Sequence, residues 1–331
     1  MQILIGVDIG GTKCAISIGK ISNSNEITII DKDVYQTVES PKPDQMIPKL
    51  IDGLKSILAR NSFIKEDIAS IGISCGGPLD SFQGTILSPP NLPGWDAVPI
   101  VQLFKNKFNV PVAIQNDANA CALAEWKFGA GKGFKNVIFL TFGTGLGAGL
   151  ILNGELYSGT NDMAGEVGHI RLENFGPVGY GKSGSFEGFC SGSGIAQLAQ
   201  IKVREKFQMG QSVAFCKSIS EIDSINAQTV ATAAINGDLL ANEIFRTCGA
   251  YLGKGLSILI DTLNPELIII GSIFVRAEKL LSDSIEKELL KEALPLSKKV
   301  CHIVPAKLGD AIGDYAALSV AFYNGFSKNN L

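Results

Sequence analysis

The chain has 331 residues, 46% of them hydrophobic and 18% charged, with a formal net charge of −3. That is enough apolar material for two domains, and it excludes a disordered polymer. The acidic balance argues against a nucleic-acid partner, and no run of about 18 apolar residues is present to span a membrane as a helix.

The first residues, Met1 to Asp8, lack the basic stretch and the small-residue cleavage site of a signal peptide. The cysteines at 14, 75, 121, 190, 216, 248 and 301 are scattered and odd in number. Several lie inside apolar runs, so they read as core residues in a reducing, cytoplasmic compartment without a disulfide framework. Residues 3–8 form an apolar run ending in Asp8, followed by Gly10-Gly11-Thr12-Lys13 and a second apolar run at 14–18. This predicts strand, tight turn, strand. A third strand is expected over 26–38 and a helix over 44–60, where Met46, Ile47, Leu50, Ile51, Leu54 and Leu58 keep helical spacing. Strands at 68–74 and 110–115 follow, and Asn116-Asp117-Ala118-Asn119 opens a helix running to about Phe128.

The pattern then restarts. A strand at 136–142, the turn Gly143-Thr144-Gly145-Leu146-Gly147 and a return strand at 148–152 copy the first unit. Two copies of one supersecondary unit suggest two domains of related fold. Residues 158–194 read as a Gly-rich irregular segment, and a loop of that length in a compact chain is usually functional. Helices are expected at 195–207, 228–236, 238–263, 277–293 and 310–324, with strands at 267–270 and 300–304.

Asp8 to Lys13 delivers a carboxylate on a strand, then glycines whose N–H groups can approach an anion, then a Thr hydroxyl. By itself that is an ordinary hairpin turn. The segment Thr141 to Gly147 repeats the chemistry, and two such turns, one per domain, would hold a polyphosphate between them. A P-loop is excluded because Gly131-Lys132 is followed by Gly133 and preceded by Trp126 at the first glycine position. Gly143-x-Gly145-x-x-Ala148 matches a dinucleotide fingerprint by letter, but a strand rather than a helix follows it. Asp117, read singly, is a helix N-cap; read chemically, it is a base that takes a hydroxyl proton during phosphoryl transfer. Glu166 and His169 stand three residues apart in Gly165-Glu166-Val167-Gly168-His169, and Glu187 lies further along the same segment.

These motifs, with Asn91-Leu92-Pro93-Gly94-Trp95 and Asn264-Pro265-Glu266-Leu267-Ile268-Ile269-Ile270-Gly271, occur in one order along the chain. Together they resemble the ROK family (repressors, open reading frames, kinases), which includes bacterial glucokinases and N-acetylhexosamine kinases. The resemblance implies an α/β chain of the actin-like ATPase (ribonuclease H-like) fold, with two related domains and a cleft between them. They are placed here at 1–120 plus 306–331 and at 121–305, and are expected to close on the sugar. It implies ATP and Mg²⁺, a hexose acceptor phosphorylated at the 6-hydroxyl, and a homodimer.

By the same resemblance Asp117 is the catalytic base, and Asn91, Asn116, Glu166, His169 and Glu187 bind the sugar. Asp8, Gly10, Gly11, Thr12 and Lys13 line the Mg²⁺ and phosphate site, as do Gly143, Thr144 and Gly145, and Gly271 lies near the adenosine. An N-acetylmannosamine or N-acetylglucosamine kinase is the alternative within the family, and a non-catalytic sugar sensor the alternative outside enzymes. The repressor branch carries a helix-turn-helix ahead of the first glycine motif; here that motif starts at Asp8 and leaves no room for one. Two departures stand out. Many members carry a zinc knuckle, Cys-x-Cys-Gly-x-x-Gly-Cys-x-Glu, but here its cysteine positions are Val178, Tyr180 and Ser185, so no structural zinc is expected. Gly271 is followed by Ser272-Ile273, where the family more often has further glycine.

Overall fold

The computed structural model describes residues 2–22 and 26–327. The first half runs β1 (Ile3–Ile9), β2 (Lys13–Ile21), β3 (Ile27–Gln36), α1 (Pro43–Arg60), β4 (Ile68–Cys75), the short pair β5 (Leu79–Asp80) and β6 (Thr85–Ile86), α2 (Ile100–Phe108), β7 (Val112–Asn116) and α3 (Asp117–Phe128). Five of these strands form a sheet in the order β3-β2-β1-β4-β7. β1 is buried along nearly its whole length because it is central, antiparallel to β2 and parallel to β4. β3 alternates exposed and covered residues, as an edge strand with one wet face does.

One face of this sheet carries Ile3, Ile5, Val7, Ile71, Ile73 and Ile114 into a core with Leu50, Leu54 and Phe104 of α1 and α2. The other face packs Leu4 with Phe128, Leu318, Ala321 and Phe322. Gly72 is required there: a Cβ would stand 2.2 Å from the Ala317 carbonyl oxygen.

The second half runs β8 (Val137–Phe142), β9 (Leu146–Leu152), β10 (Glu155–Tyr157), β11 (Val178–Gly179), β12 (Lys182–Ser183), α4 (Phe186–Phe189), α5 (Gly192–Gln208), α6 (Ala227–Ile235), α7 (Leu239–Leu263), β13 (Leu267–Ile270), α8 (Ile273–Glu292), α9 (Pro295–Val300), β14 (His302–Pro305) and α10 (Ile312–Phe322). The second sheet is ordered β10-β9-β8-β13-β14. β13 is buried at all positions and parallel to both β8 and β14, which explains its unbroken apolar sequence.

The chain divides into two compact units, one of Met1–Gly133, Gly149–Ala164 and Lys307–Leu331, the other of Phe134–Ala148 and Gly165–Ala306. Among the described residues no helix is long and apolar enough to cross a membrane. The expected elements are present, with corrections at their ends. α5 begins at Gly192 rather than 195 because Ser191 caps it, accepting the Gly194 N–H. α8 begins four residues before the expected 277, and α9 was not foreseen. The expected irregular segment over 158–194 contains β11, β12 and α4.

Candidate active site

In the first unit the β1–β2 turn is closed by the Gly10 N–H donating to the Lys13 carbonyl at 3.1 Å. Thr37 ties it from outside: its hydroxyl donates to the Gly10 carbonyl at 2.7 Å and its N–H to the Thr12 carbonyl at 2.9 Å. Gly11, Thr12 and Lys13 are left exposed. Asn91 lies directly against this turn, since a Cβ at Gly11 would be 2.4 Å from the Asn91 carbonyl oxygen. The Asn91 amide also borders Gly76, at 3.2 Å from where a Cβ would stand. Buried Trp95 anchors that loop, its indole N–H donating to the Pro41 carbonyl at 2.9 Å.

Asp8 leaves β1 beside Ser74 of β4, its partner in register. Its pKa is raised to about 6, chiefly by burial and then by the nearby carboxylates of Asp117 and Asp314, while the Ser74 hydrogen bond and Lys13 oppose the shift. Asp314 was not singled out from sequence. An Asp in the first turn of an apolar helix gives no signal beyond capping, and only the fold brings α10 here, with Gly313 next to the Asp8 carboxylate. Asp314 accepts from Ser17 at 3.2 Å and pairs with Lys32 at 2.6 Å.

Asn116, not Asp117, is the N-cap of α3: its side-chain oxygen accepts the Asn119 N–H at 2.7 Å. The capping reading of Asp117 is thereby corrected, because the cap is already filled one residue earlier. Asp117 occupies the first helical position, where its carboxylate accepts the Ala118 N–H at 2.8 Å. The carboxylate stays open to solvent yet is walled by enough protein to lose bulk hydration. Its pKa is raised by that desolvation, against the pull of the backbone N–H groups.

In the second unit the β8–β9 turn has its own latch. The Thr141 hydroxyl accepts the Gly147 N–H at 2.9 Å, and the Gly143 N–H donates to the Gly145 carbonyl at 3.1 Å. A strand does follow Gly143-x-Gly145, so the dinucleotide match is accidental. The start of α5 closes on the turn: the Gly192 N–H donates to the Gly143 carbonyl at 2.7 Å and the Ser193 hydroxyl to the Thr144 carbonyl at 3.0 Å. Gly143 and Thr144 line a cavity of about 490 Å³ with Gly192, Ser193, Asn226 and Ser272. Three helices, α5, α6 and α8, begin at its wall. Helix N-termini offer unsatisfied N–H groups and positive dipole ends, which suit phosphate. Gly271, at the end of β13, precedes Ser272 on this wall.

Glu187 sits on α4 in the second unit, and the structure ties it to the phosphate-type turn, a link not visible in sequence. Its carboxylate accepts the Leu146 N–H at 3.0 Å, and a Cβ at Gly145 would lie 2.7 Å from the same oxygen. Gly168 and Gly179 pack against its stem. Glu166 is exposed, its carbonyl accepting the His169 N–H at 3.1 Å. The His169 ring meets Tyr180 edge-on, with centroids 5.2 Å apart.

No group of three or more His, Cys, Asp and Glu suited to a metal occurs among the described residues. The three cysteine positions of the zinc pattern are filled by groups that do not fit a zinc site, and each does something else. Ser185 is fully buried and caps α4, accepting the Gly188 N–H at 3.1 Å. Val178 is clamped at both its N–H and carbonyl by the Gln197 amide, at 2.9 Å each. Tyr180 and Gly181, both at positive φ, form the β11–β12 turn. Lys182 donates to the His169 carbonyl at 2.7 Å and Arg171 to the Ser183 carbonyl at 2.6 Å. Hydrogen bonds thus order the loop.

The first unit therefore gathers Asp8, Gly10 to Lys13, Asn91, Asn116 and Asp117, and the second gathers Gly143 to Gly145, Glu166, His169, Glu187 and Gly271. The ROK family pattern matches residues 4–321. A glucokinase of Halalkalibacterium halodurans is 32% identical over 311 residues, covering 93% of this chain and 92% of that protein. The xylose repressor of Bacillus spizizenii is 29% identical over 306 residues, 92% of this chain and 73% of the repressor. A solved ROK family glucokinase from Streptomyces griseus, in complex with glucose and AMPPNP, has a TM-score of 0.71 and 29% identity, covering 96% of this chain and 99% of that one. The ROK kinases among the structural neighbours have the actin-like ATPase fold, and the two sheets here follow it. With a family match over nearly its whole length and a curated relative above 30% identity, the chain belongs to the ROK family.

Proposed function

We propose that the protein is a sugar kinase that transfers the γ-phosphoryl group of ATP to the 6-hydroxyl of a hexose, with glucose the first candidate. The observation that carries this is Asp117: an accessible carboxylate at the start of α3 with its pKa raised by desolvation, in the same unit as the Asp8 turn. A base needs that combination of access and proton affinity. The similarity to glucokinases of about 30% identity supports the sugar-kinase reading.

In this reading Asn91, Asn116, Glu166, His169 and Glu187 hold sugar hydroxyls. Amides and carboxylates suit neighbouring hydroxyls because each offers two polar atoms. Glu187 already uses one carboxylate oxygen on the Leu146 N–H, which fixes its orientation. Asp117 takes the proton of the 6-hydroxyl as that oxygen bonds to the γ-phosphorus. The bond between the γ-phosphorus and the bridging oxygen breaks, and ADP leaves. Phosphoryl transfer asks for positioning and charge neutralisation more than for covalent work, and the Gly143 turn with its helix N-termini supplies part of both.

Mg²⁺ fits the first unit. Burial does most to raise the Asp8 pKa, and the Asp117 and Asp314 carboxylates add to it, a local excess of negative charge that a cation relieves. Mg²⁺ is commonly held by one or two carboxylates with waters and substrate phosphates, so a dedicated cage is not required. Asp8 would hold it, and the ion would supply charge neutralisation at the phosphates. We further propose a cytoplasmic homodimer. A binding-only sensor, which the similarity to a repressor brings into view, does not need Asp117.

The test is ADP release measured across glucose, mannose, 2-deoxyglucose, N-acetylglucosamine and N-acetylmannosamine, with the product identified by ³¹P and ¹³C NMR. The expected result is one ADP per sugar 6-phosphate, fastest with a hexose. A product phosphorylated at carbon 1, or tight sugar binding without ADP release, contradicts the proposal.

A further inference from the structure

Ser272 stands in a conformation that serine rarely adopts. Its backbone has φ 54° and ψ −111°. Together with the Phe274 N–H donating to the Gly271 carbonyl at 3.3 Å, this makes Ser272 the second residue of a type II′ turn. That position favours glycine, because a Cβ at positive φ crowds the backbone. Any other residue is held there at a cost that the surroundings must offset. The strain is therefore not explained by the backbone, which glycine would satisfy better.

Helix capping does not explain the serine either. Serine is a favoured N-cap because its hydroxyl accepts an N–H of the first turn. Ser272 occupies the N-cap position of α8 but makes no side-chain capping bond. Contrast Ser191 and Ser185, which cap α5 and α4 through their hydroxyls. Neither the turn nor the helix uses what distinguishes serine from glycine.

What the hydroxyl does have is a place. Ser272 is exposed and lines the cavity of about 490 Å³ that also holds Gly143, Thr144, Gly192 and Ser193. Its oxygen lies 3.7 Å from the point where a Cβ on Gly143 would stand, so the hydroxyl looks onto the glycine turn across a gap that Gly143 leaves open. We propose that the Ser272 hydroxyl is a ligand-binding group of this chain, donating a hydrogen bond to a phosphate oxygen of the bound nucleotide, and that the strained turn is retained to present it there. This rests on the reading of that cavity as the nucleotide site. A phosphate oxygen rather than the base is the partner because the neighbouring groups are the glycine turn and the start of α5.

Two substitutions separate strain from hydroxyl. S272G removes both the hydroxyl and the Cβ that strains the turn; S272A removes the hydroxyl and keeps the Cβ. Dissociation constants for ADP, adenosine and glucose are measured by calorimetry on the full chain, with melting temperature of the unliganded protein alongside. S272G is expected to melt several degrees higher than wild type and to bind ADP about fivefold to tenfold more weakly. S272A is expected to melt as wild type does and to show the same loss for ADP. Adenosine and glucose affinities stay unchanged in both. Unchanged ADP binding by S272A overturns the inference, since the hydroxyl is then unused. An equal loss for adenosine overturns the assignment to phosphate. A wild-type protein that binds glucose but no ADP overturns the nucleotide reading and this inference together, whereas failure in the variants alone leaves the kinase reading standing.

Discussion

The two strand–turn–strand units are near copies in outline but differ in what surrounds them. The β1–β2 turn is set among carboxylates: Asp8 leads into it, its pKa raised by burial and further by Asp117 and Asp314. The β8–β9 turn is set among helix starts, with α5 hydrogen-bonded onto it at Gly143 and Thr144. Under the proposed function the first turn holds the cation beside Asp8, and the second meets the phosphates with helix N-termini while Glu187 holds the Leu146 N–H. They also differ in how tightly their glycines are enclosed. Gly11 faces backbone at Asn91, whereas Gly145 faces the far end of the Glu187 side chain.

That last difference predicts an asymmetry between two otherwise identical changes. Gly11→Ala must displace the Asn91 backbone, at a cost of roughly 1–3 kcal/mol for overpacking, and with it the loop proposed to hold the sugar. A loss of kcat/KM of at least about tenfold is expected. Gly145→Ala meets the end of a side chain rather than backbone and displaces it from the Leu146 N–H, so a smaller loss than at Gly11 is expected. Steady-state kinetics of both variants decide it, and equal losses would erase the distinction.

Next in size is Glu187→Gln. The substitution keeps shape and the capacity to accept the Leu146 N–H but removes the charge proposed to bind the sugar. The KM for the preferred sugar should rise by about tenfold, and discrimination between glucose and mannose should narrow. An unchanged preference would place the sugar elsewhere.

Asp8→Asn tests the carboxylate cluster through stability. Because the Asp8 pKa is raised to about 6 in the folded state, the native protein binds more protons than the unfolded chain between about pH 4 and pH 6. Stability from this group thus falls as pH rises through that window. Without the carboxylate the penalty disappears. The variant without added Mg²⁺ should melt roughly 2–4 °C higher than wild type at pH 7.5, and the gap should close below about pH 4. A variant less stable at pH 7.5 would refute the cluster.

The smallest expected effect is none at all. A chelator should leave the melting temperature unchanged, since Ser185, Gln197 and Arg171 order the 178–187 hairpin through hydrogen bonds. A drop of several degrees, with about one zinc per chain by elemental analysis, would overturn that account of the loop.

Much of this was legible from sequence because it is written in local patterns. Both glycine turns, the buried β13 and the helical spacing of α1 each depend on residues close in the chain. What was not legible depends on contacts that no spacing records. Asp314 acts on Asp8 from the far end of the chain's sequence, brought beside it only by the fold. Glu187 reaches back to the Leu146 N–H through a fold of the irregular segment. Asn116 takes the capping role that a lone Asp117 would have had, because Asn also caps and comes first. The early start of α5 escaped because Gly192 and Gly194 lack the apolar periodicity by which helices are read.

The central claim of the proposed function is that Asp117 supplies the base. It is tested most directly by measuring turnover and sugar affinity together in Asp117→Asn. The variant keeps size and hydrogen bonding but has no base. Turnover should fall by about 10²–10⁴-fold, while the glucose dissociation constant by calorimetry stays within a few-fold of wild type. Turnover near the wild-type rate with intact sugar binding would contradict the account.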